Sequence, residues 1–254
     1  VTPYKLIISK EDLISFGKQH GWPFMLKSSK GGYDGYGNAK VDNLEEAWDA
    51  YLALGAKDGR DVMAEAFIPY THELAVQVAS NGIDHVVYPC CETIQEHHIC
   101  TAVVTPARIS DTIQKKAQEF ALTAMQALAT RGIVAFEFFL TKDGTLLLNE
   151  SAPRPHNSGH YSIEGCVSSQ FENHVRAVLG LDLGSTELIR PAAVMINLLG
   201  THNRDAVTEL PENMLKEEHG HLHIYGKLSS KIGRKMGHFT LLGNHAEQVL
   251  ERAR

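Results

Sequence analysis

The stretch from Glu137 to Asn157 constrains the fold of this chain more than any other. It reads Glu-Phe-Phe-Leu-Thr-Lys-Asp-Gly-Thr-Leu-Leu-Leu-Asn-Glu-Ser-Ala-Pro-Arg-Pro-His-Asn. Apolar runs at 133–140 and 146–148 flank Asp143-Gly144, the dipeptide that most strongly signals a two-residue hairpin turn. With the turn there, Lys142 faces Thr145, Leu140 faces Leu147 and Glu137 faces Glu150. Side chains directly across a strand pair have Cβ atoms roughly 4.5–5.5 Å apart. Two carboxylates at that separation repel unless a cation lies between them, the pair shares a proton, or one of them is solvated at a strand end. Oxygen donors on a sheet suit a hard ion. Mg²⁺ fits because it usually takes one or two carboxylates together with phosphate oxygens.

The residues immediately after the pair favour the cation. Pro153 and Pro155 cannot continue a central strand or a helix interior. A stiff, irregular segment therefore leaves Glu150 carrying Arg154, His156 and Asn157. A guanidinium, an imidazole and an amide beside a cation make a cradle for an oxyanion.

A second signal lies upstream. Lys27-Ser-Ser-Lys-Gly-Gly-Tyr-Asp-Gly-Tyr-Gly-Asn38 has four glycines in seven positions and sits between strand-like Pro23–Lys27 and Ala39–Val41. Such backbone turns tightly or approaches a ligand closely, and its N–H groups with a nearby lysine suit a phosphate. GK[ST] and GxGxxG are both absent, so the loop reads as a flap between strands, or as a plain flexible hairpin. Around these features the periodicity places helices capped by Ser9 (closed by Gly21), Asn43, Asp111 (closed by Gly132) and Ser169. Their expected inward faces are Leu13/Phe16, then Leu44/Ala47/Trp48/Tyr51, then Ile113/Ala117/Phe120/Ala121/Ala124/Leu128, then Phe171/Val175/Val178/Leu179. Asn43 with Glu46 and Ser169 with Glu172 have capping-box spacing. Strands are expected at 61–66, 73–78, 86–91, 98–104, 192–199, 221–225 and 237–242, with a turn at Asn81-Gly82.

Bulk properties narrow the chemistry. The 254 residues allow one or two domains, and 43% hydrophobic with 21% charged content is ordinary for a globular protein. A net charge of −6 argues against a nucleic-acid backbone as the main partner. No apolar run of about 18 residues suggests a membrane helix, and no signal peptide is visible. Cys90, Cys91, Cys100 and Cys166 lack CxxC spacing, which is expected of a reduced, cytoplasmic protein, and Cys166 reads as a small buried hydrophobe. His219, His221 and His223 alternate along one strand face, but without a cysteine pair or HExxH they do not specify zinc. The basic run Lys227…Lys231-Ile-Gly-Arg234-Lys235-Met-Gly-His238 reads as solvated surface or as a phosphate site.

With these motifs in place, the sequence resembles a family. Gly31-Gly-Tyr-Asp-Gly-Tyr-Gly37, Glu137-Phe-Phe and above all Asn149-Glu-Ser-Ala-Pro-Arg-Pro-His-Asn-Ser-Gly-His160 are similar to the ATP-grasp enzymes that make 5-(carboxyamino)imidazole ribonucleotide. Ile163-Glu-Gly, Ser169-Gln-Phe-Glu172, Asn197-Leu-Leu-Gly200 and Gly233-Arg-Lys-Met-Gly-His238 extend the likeness over nearly the whole chain. The resemblance implies an α+β, ATP-grasp fold: a lid subdomain at 1–66, a larger antiparallel-sheet subdomain at 67–184 and a small β-rich domain at 185–254. The family's amino-terminal domain is absent from this sequence, which begins without Met, so a fragment or processed product is expected. A homodimer and a cytoplasmic location are also implied.

The same resemblance implies ligands. ATP phosphorylates bicarbonate to carboxyphosphate, which carboxylates 5-aminoimidazole ribonucleotide in purine biosynthesis. Lys27 is expected at the ATP phosphates, covered by Gly32, Tyr33, Asp34, Gly35, Tyr36, Gly37 and Asn38. Glu65, Ala66, Phe67 and Ile68 line the adenine site, Glu73 meets the ribose, and Gln95 is a further nucleotide contact. Glu137 and Glu150 hold Mg²⁺ beside Asn149. Arg154, His156 and Asn157 hold bicarbonate or carboxyphosphate, while Tyr33, Lys227, Arg234 and Lys235 meet the ribonucleotide. The chain departs from the family at Tyr36, where many members carry an arginine expected near the substrate phosphate; tyrosine can donate a hydrogen bond but carries no charge. Two other readings stay open: an ATP-grasp ligase or formyl-type transferase acting on another amine, and a nucleotide-binding remnant without catalysis. Arg154–Asn157 and Gly233–His238 weigh against the first, and the intact carboxylate pair against the second.

Overall fold

The computed structural model describes residues 1–29, 37–96, 99–206 and 212–254 and divides into two units, Val1–Tyr70 and Thr71–Arg254, each built on its own sheet. The first unit runs β1 (Tyr4–Ile7), α1 (Lys10–His20), β2 (Phe24–Ser28), β3 (Asn38–Val41), α2 (Leu44–Ala53) and β4 (Val62–Ala66). The strands pair antiparallel in the order β1-β4-β2-β3. Ser9 starts α1 by accepting the Asp12 N–H, and Asn43 starts α2 by accepting the Glu46 N–H. The capping box on α2 is displaced by one residue: the Glu46 carboxylate takes the N–H of Asp42 rather than that of Asn43. Leu13 and Phe16 of α1 and Ala47 of α2 close a core with Phe24, Leu26, Val62 and Ala64. The glycine-rich loop from 30 to 36 lies outside the described residues.

The second unit contains β5 (Tyr70–Ser80), β6 (His85–Val87), β7 (Cys91–Glu96), β8 (Ile99–Thr105), α3 (Asp111–Leu128), β9 (Gly132–Thr141) and β10 (Leu146–Ala152). After these come α4 (Ser162–Gly165), α5 (Gln170–Val178), β11 (Ala192–Leu199), β12 (Arg204–Asp205), α6 (Glu212–Leu215), β13 (Gly220–Ile224), β14 (Ser229–Ser230), β15 (Lys235–Gly243) and α7 (Ala246–Ala253). One sheet takes the order β10-β9-β5-β7-β8-β11-β15-β13, with β6 on β5. The segment 185–254 extends this sheet: β11 hydrogen-bonds directly to β8 and carries β15 and β13 onward in it.

Strand alternation decides what each face of this sheet carries. Leu74, Val76 and Val78 of β5 and Val134, Phe136, Phe138 and Leu140 of β9 pack with Ala117, Ala121 and Met125 of α3. Glu73, Gln77 and Glu137 occupy the intervening positions and so belong to the opposite face. Glu150 has the parity of Leu146 and Leu148, which lie in or against the α3 core. A regular β10 would aim its carboxylate into that core. The ladder instead shifts at Asn149: Leu148 pairs with Phe138, but Glu150 pairs with Glu137. This bulge inserts one residue and turns Glu150 to the face of Glu137. Deleting Asn149 removes the extra residue, so that Glu150 follows Leu148 directly and still pairs with Glu137 on that face in a regular ladder; the second unit is expected to keep its fold, read by circular dichroism melting.

The turn differs from the two-residue expectation. Thr141 pairs with Thr145 through the bond from Thr141 N to Thr145 O at 3.0 Å, leaving Lys142, Asp143 and Gly144 as a three-residue loop. Gly144 takes φ +81°, the left-handed position such loops require. Asp143 holds the loop by accepting the Thr141 and Thr145 hydroxyls. Leu140 therefore faces Leu146, not Leu147. The one-residue error at the turn and the one-residue bulge at Asn149 cancel, which is why Glu137 still faces Glu150.

Two helices also depart from expectation. Ser110, not Asp111, is the N-cap of α3, and Ala129 at φ +48° ends it, while Gly132 begins β9. On α3 Met125 is buried, whereas Phe120 and Leu128 are exposed. The faces of α5 are reversed: Gln170, Asn173 and Ala177 are buried, and Phe171, Val175, Val178 and Leu179 are exposed. The reason is hydrogen bonding. Asn173 donates to Tyr88 Oη and Gly184 O and accepts the Gly184 N–H, and Gln170 grips His156 and His160. A satisfied amide can be buried, and an apolar periodicity does not register it. The expected strand 86–91 is also broken, into β6 and the start of β7. Among the described residues no helix is long and apolar enough to cross a membrane.

Candidate active site

The face of the second unit opposite α3 gathers Glu73, Glu137 and Glu150 with Arg154 and Lys235. Burial pushes the Glu137 carboxyl up to about 8, helped by the negative charges of Glu150 and Glu73; Lys235 and Arg154 oppose the rise. The Glu137 side chain is 22% exposed, whereas Glu150 lies at the exposed end of its strand. Two opposed carboxylates, one of them driven toward its neutral form, call for a cation or a proton. Among the described residues no group of three or more His, Cys, Asp or Glu side chains is placed to hold a metal alone. Two carboxylates with room for phosphate oxygens suit Mg²⁺, which rarely relies on an all-protein cage. Glu137 and Glu150 thus fit that ion, and Asn149 at the bulge lies between Leu148 and Glu150 in the strand.

The segment after β10 is fixed residue by residue. Arg154 is exposed, donating Nη1 to Pro155 O at 3.1 Å. The His156 N–H donates to Gln170 Oε1 at 3.0 Å, and Gln170 Nε2 returns a bond to His156 O at 2.7 Å. His156 Nδ1 stands 2.8 Å from Ser158 Oγ and 3.5 Å from Glu137 Oε1. Asn157 and Asn197 form a reciprocal amide pair at 2.7 and 2.9 Å, and Asn197 also donates to Cys100 O. The expected oxyanion ligand Asn157 is therefore first a strut tying this segment to β11. Asn157→Ala is expected to cost about 1–3 kcal/mol in urea denaturation, because it removes one partner of the buried Asn197 amide.

The other sequence-derived residues divide between the two units. In the first unit Lys27 Nζ lies 2.6 Å from Glu65 Oε2, with both side chains largely covered. Gly37 O accepts the Ser28 N–H, and Asn38 pairs with Lys27 in the β2–β3 ladder. Ala66 ends β4, Phe67 lies under Lys40 Nζ, and Ile68 O accepts the Tyr70 N–H. In the second unit Glu73 pairs with Thr93, and Gln95 sits at a register shift opposite Cys100. Lys227 stands over the Tyr225 ring and donates to Lys235 O, and Arg234 donates to Ser229 O and Oγ. Gly32, Tyr33, Asp34, Gly35 and Tyr36 lie outside the described residues.

Among the described residues the histidines and cysteines form no group of three placed to hold a metal. His223 bonds Glu164 and stacks on His238 at 4.4 Å. Burial lowers His238 to about 3 and His160 to about 4, with neighbouring cationic groups adding to both. Burial raises Cys90, Cys100 and Cys166 to about 12 and Cys91 well above its usual value, so all four stay thiols. Sequence reasoning passed over Gln77, Ser158, Gln170 and Asn197. Gln77 carried a signal: it is polar within the run 74–80, in which every residue is buried.

Family models agree with this geometry. The ATP-grasp domain matches residues 1–171, and the phosphoribosylaminoimidazole carboxylase C-terminal domain matches residues 193–252. The chain belongs to the ATP-grasp family, with the α+β fold of that family. It is 42% identical over 250 residues to a phosphoribosylaminoimidazole carboxylase of Schizosaccharomyces pombe, covering 96% of this chain and 45% of that protein. It is 41% identical over 252 residues to an N5-carboxyaminoimidazole ribonucleotide synthase of Bacillus subtilis, covering 99% and 64%. A solved carboxyaminoimidazole ribonucleotide synthase from Aspergillus clavatus, complexed with ATP, superposes with a TM-score of 0.89 at 37% identity, covering 99% of this chain and 66% of that one. The synthase of the same organism with ADP and 5-aminoimidazole ribonucleotide gives 0.88 at 36%, covering 100% and 67%. The chain thus spans less than half of the fungal curated relative and about two thirds of the solved chains.

Proposed function

We propose that this chain carries the ATP-, bicarbonate- and ribonucleotide-handling parts of a 5-(carboxyamino)imidazole ribonucleotide synthase, a carbon–nitrogen ligase. The observation that carries the reading is the Glu137–Glu150 pair, brought to one face by the Asn149 bulge beside Arg154 and His156. Phosphoryl transfer needs alignment and charge neutralisation more than covalent help. Glu137 and Glu150 would hold Mg²⁺, which would supply charge neutralisation to the phosphates. Lys27 serves the ATP phosphates, and Glu65–Ile68 the adenine. Arg154 and His156 hold bicarbonate as its oxygen attacks the γ-phosphorus and ADP leaves. The carboxyphosphate formed is attacked at carbon by the amine of 5-aminoimidazole ribonucleotide, giving the carbamate and releasing phosphate. Lys227, Arg234 and Lys235 bind that ribonucleotide, the first two at its phosphate.

ADP release from Mg-ATP tests the reading, on this chain and on a form extended upstream. The expected result is release by the extended form only when bicarbonate and aminoimidazole ribonucleotide are both present. Release that is indifferent to the ribonucleotide would assign the site to another acceptor.

A further inference from the structure

We infer that Ser229 positions Arg234 for the ribonucleotide phosphate, holding one nitrogen of the guanidinium so that the Nε–Nη2 edge is left open as a two-donor fork. This rests on the reading of Arg234 as a phosphate ligand given above. Arg234 Nη1 donates to Ser229 O at 2.8 Å and to Ser229 Oγ at 2.9 Å. Nη1 carries two N–H groups, so Ser229 takes up its whole capacity. Among the described residues nothing engages Nε or Nη2. The two parallel N–H groups of that edge match a pair of phosphate or carboxylate oxygens. Arg108 shows the fit within this molecule: its Nε and Nη2 grip the two oxygens of Glu92 at 2.9 and 2.7 Å.

Backbone bonds fix both residues on one frame. The Arg234 N–H donates to Lys231 O at 3.0 Å, and Arg234 O accepts the Gly200 N–H at 2.8 Å. Gly200 O accepts the Gly233 N–H at 2.9 Å, and Asn203 Oδ1 accepts the Ile232 N–H at 3.1 Å. Ser229 lies in β14, paired with Asp205 of β12. Gly200 permits the close seating, since a Cβ there would stand 2.3 Å from Lys231 O. Gly200 also directly follows β11, the strand whose Asn197 braces Asn157. The turn of Arg234 and the segment of Asn157 are thus tied to the same strand. A long side chain already held in one geometry loses less freedom when its ligand arrives. Ser229 acts through Arg234 in this way and is a positioning residue.

The test is steady-state ADP release by the extended form, with ribonucleotide and ATP varied in turn. Ser229 is exposed, so substitutions there are accommodated. Ser229→Ala is expected to raise KM for the ribonucleotide about fivefold, with kcat and KM for ATP near the native values. Ser229→Thr keeps the hydroxyl and is expected to show the native KM. Arg234→Lys keeps the charge but not the fork. It is expected to raise the same KM about tenfold, and Ser229→Ala to add nothing in that background. A native KM in Ser229→Ala would overturn the inference. So would a rise that persists in the Arg234→Lys background, or one that extends equally to ATP. A native KM in Arg234→Lys would take the phosphate away from Arg234 and overturn it at its base. Loss of the proposed reaction itself shows already in the unsubstituted protein, so it is not confused with these outcomes.

Discussion

Glu150→Gln is expected to lower Mg-ATP turnover by on the order of 10³-fold or more while leaving the fold intact. Glu150 is exposed near the end of β10, so the neutral amide is accommodated without strain. In the proposed site the change would remove one of two anionic oxygens for a hard cation, and with it the alignment of the phosphates. Turnover is measured by ADP release in the extended form, and the fold by thermal melting of both proteins. Retained turnover would remove the cation from this pair. A collapsed melting temperature would show that Glu150 is structural. The substitution also removes one of the charges that raise Glu137, so Glu137 is expected to ionise at lower pH in this variant.

Glu137→Gln is expected to stabilise the cation-free chain at high pH. The folded protein raises the Glu137 carboxyl from 4.5 to about 8 by burial and by the charges of Glu150 and Glu73. A folded pKa above the unfolded one means that the native state favours the protonated form. The associated stability is complete below about 4.5 and is lost as pH rises through about 8. Glutamine stays neutral throughout. In urea denaturation with a chelator present, the variant is expected to exceed the native chain by a few kcal/mol at about pH 9 and to equal it near pH 4. Mg²⁺ with ATP should narrow the gap at high pH by compensating the carboxylate. A gap independent of pH would show that Glu137 is not held toward its neutral form.

Particular residues show how much of the fold and the site was legible in the sequence. The carboxylate pair was, because an acidic residue on each arm of an Asp-Gly hairpin leaves few registers. The turn itself was misread: side-chain bonds from Thr141 and Thr145 to Asp143 favour a longer loop, and no pairwise pattern announces them. The bulge at Asn149 was invisible for the same reason, yet it alone turns Glu150 away from the α3 core. The face of α5 was assigned from apolar spacing, whereas Asn173 and Gln170 are buried through the bonds they make. The Asn157–Asn197 pair joins residues far apart in sequence, and local pattern carries no trace of it. Most elements and the caps at Ser9, Asn43 and Ser169 thus follow from local chemistry, while the polar network behind the site follows from tertiary contacts.

The central claim is that bicarbonate is the nucleophile toward the γ-phosphate of ATP. The most direct test uses bicarbonate labelled with ¹⁸O in the complete reaction with Mg-ATP and aminoimidazole ribonucleotide, with mass analysis of the phosphate released. The expected result is one labelled oxygen in each phosphate, carried over when carboxyphosphate is cleaved at carbon. Phosphate that takes its new oxygen from water would contradict it.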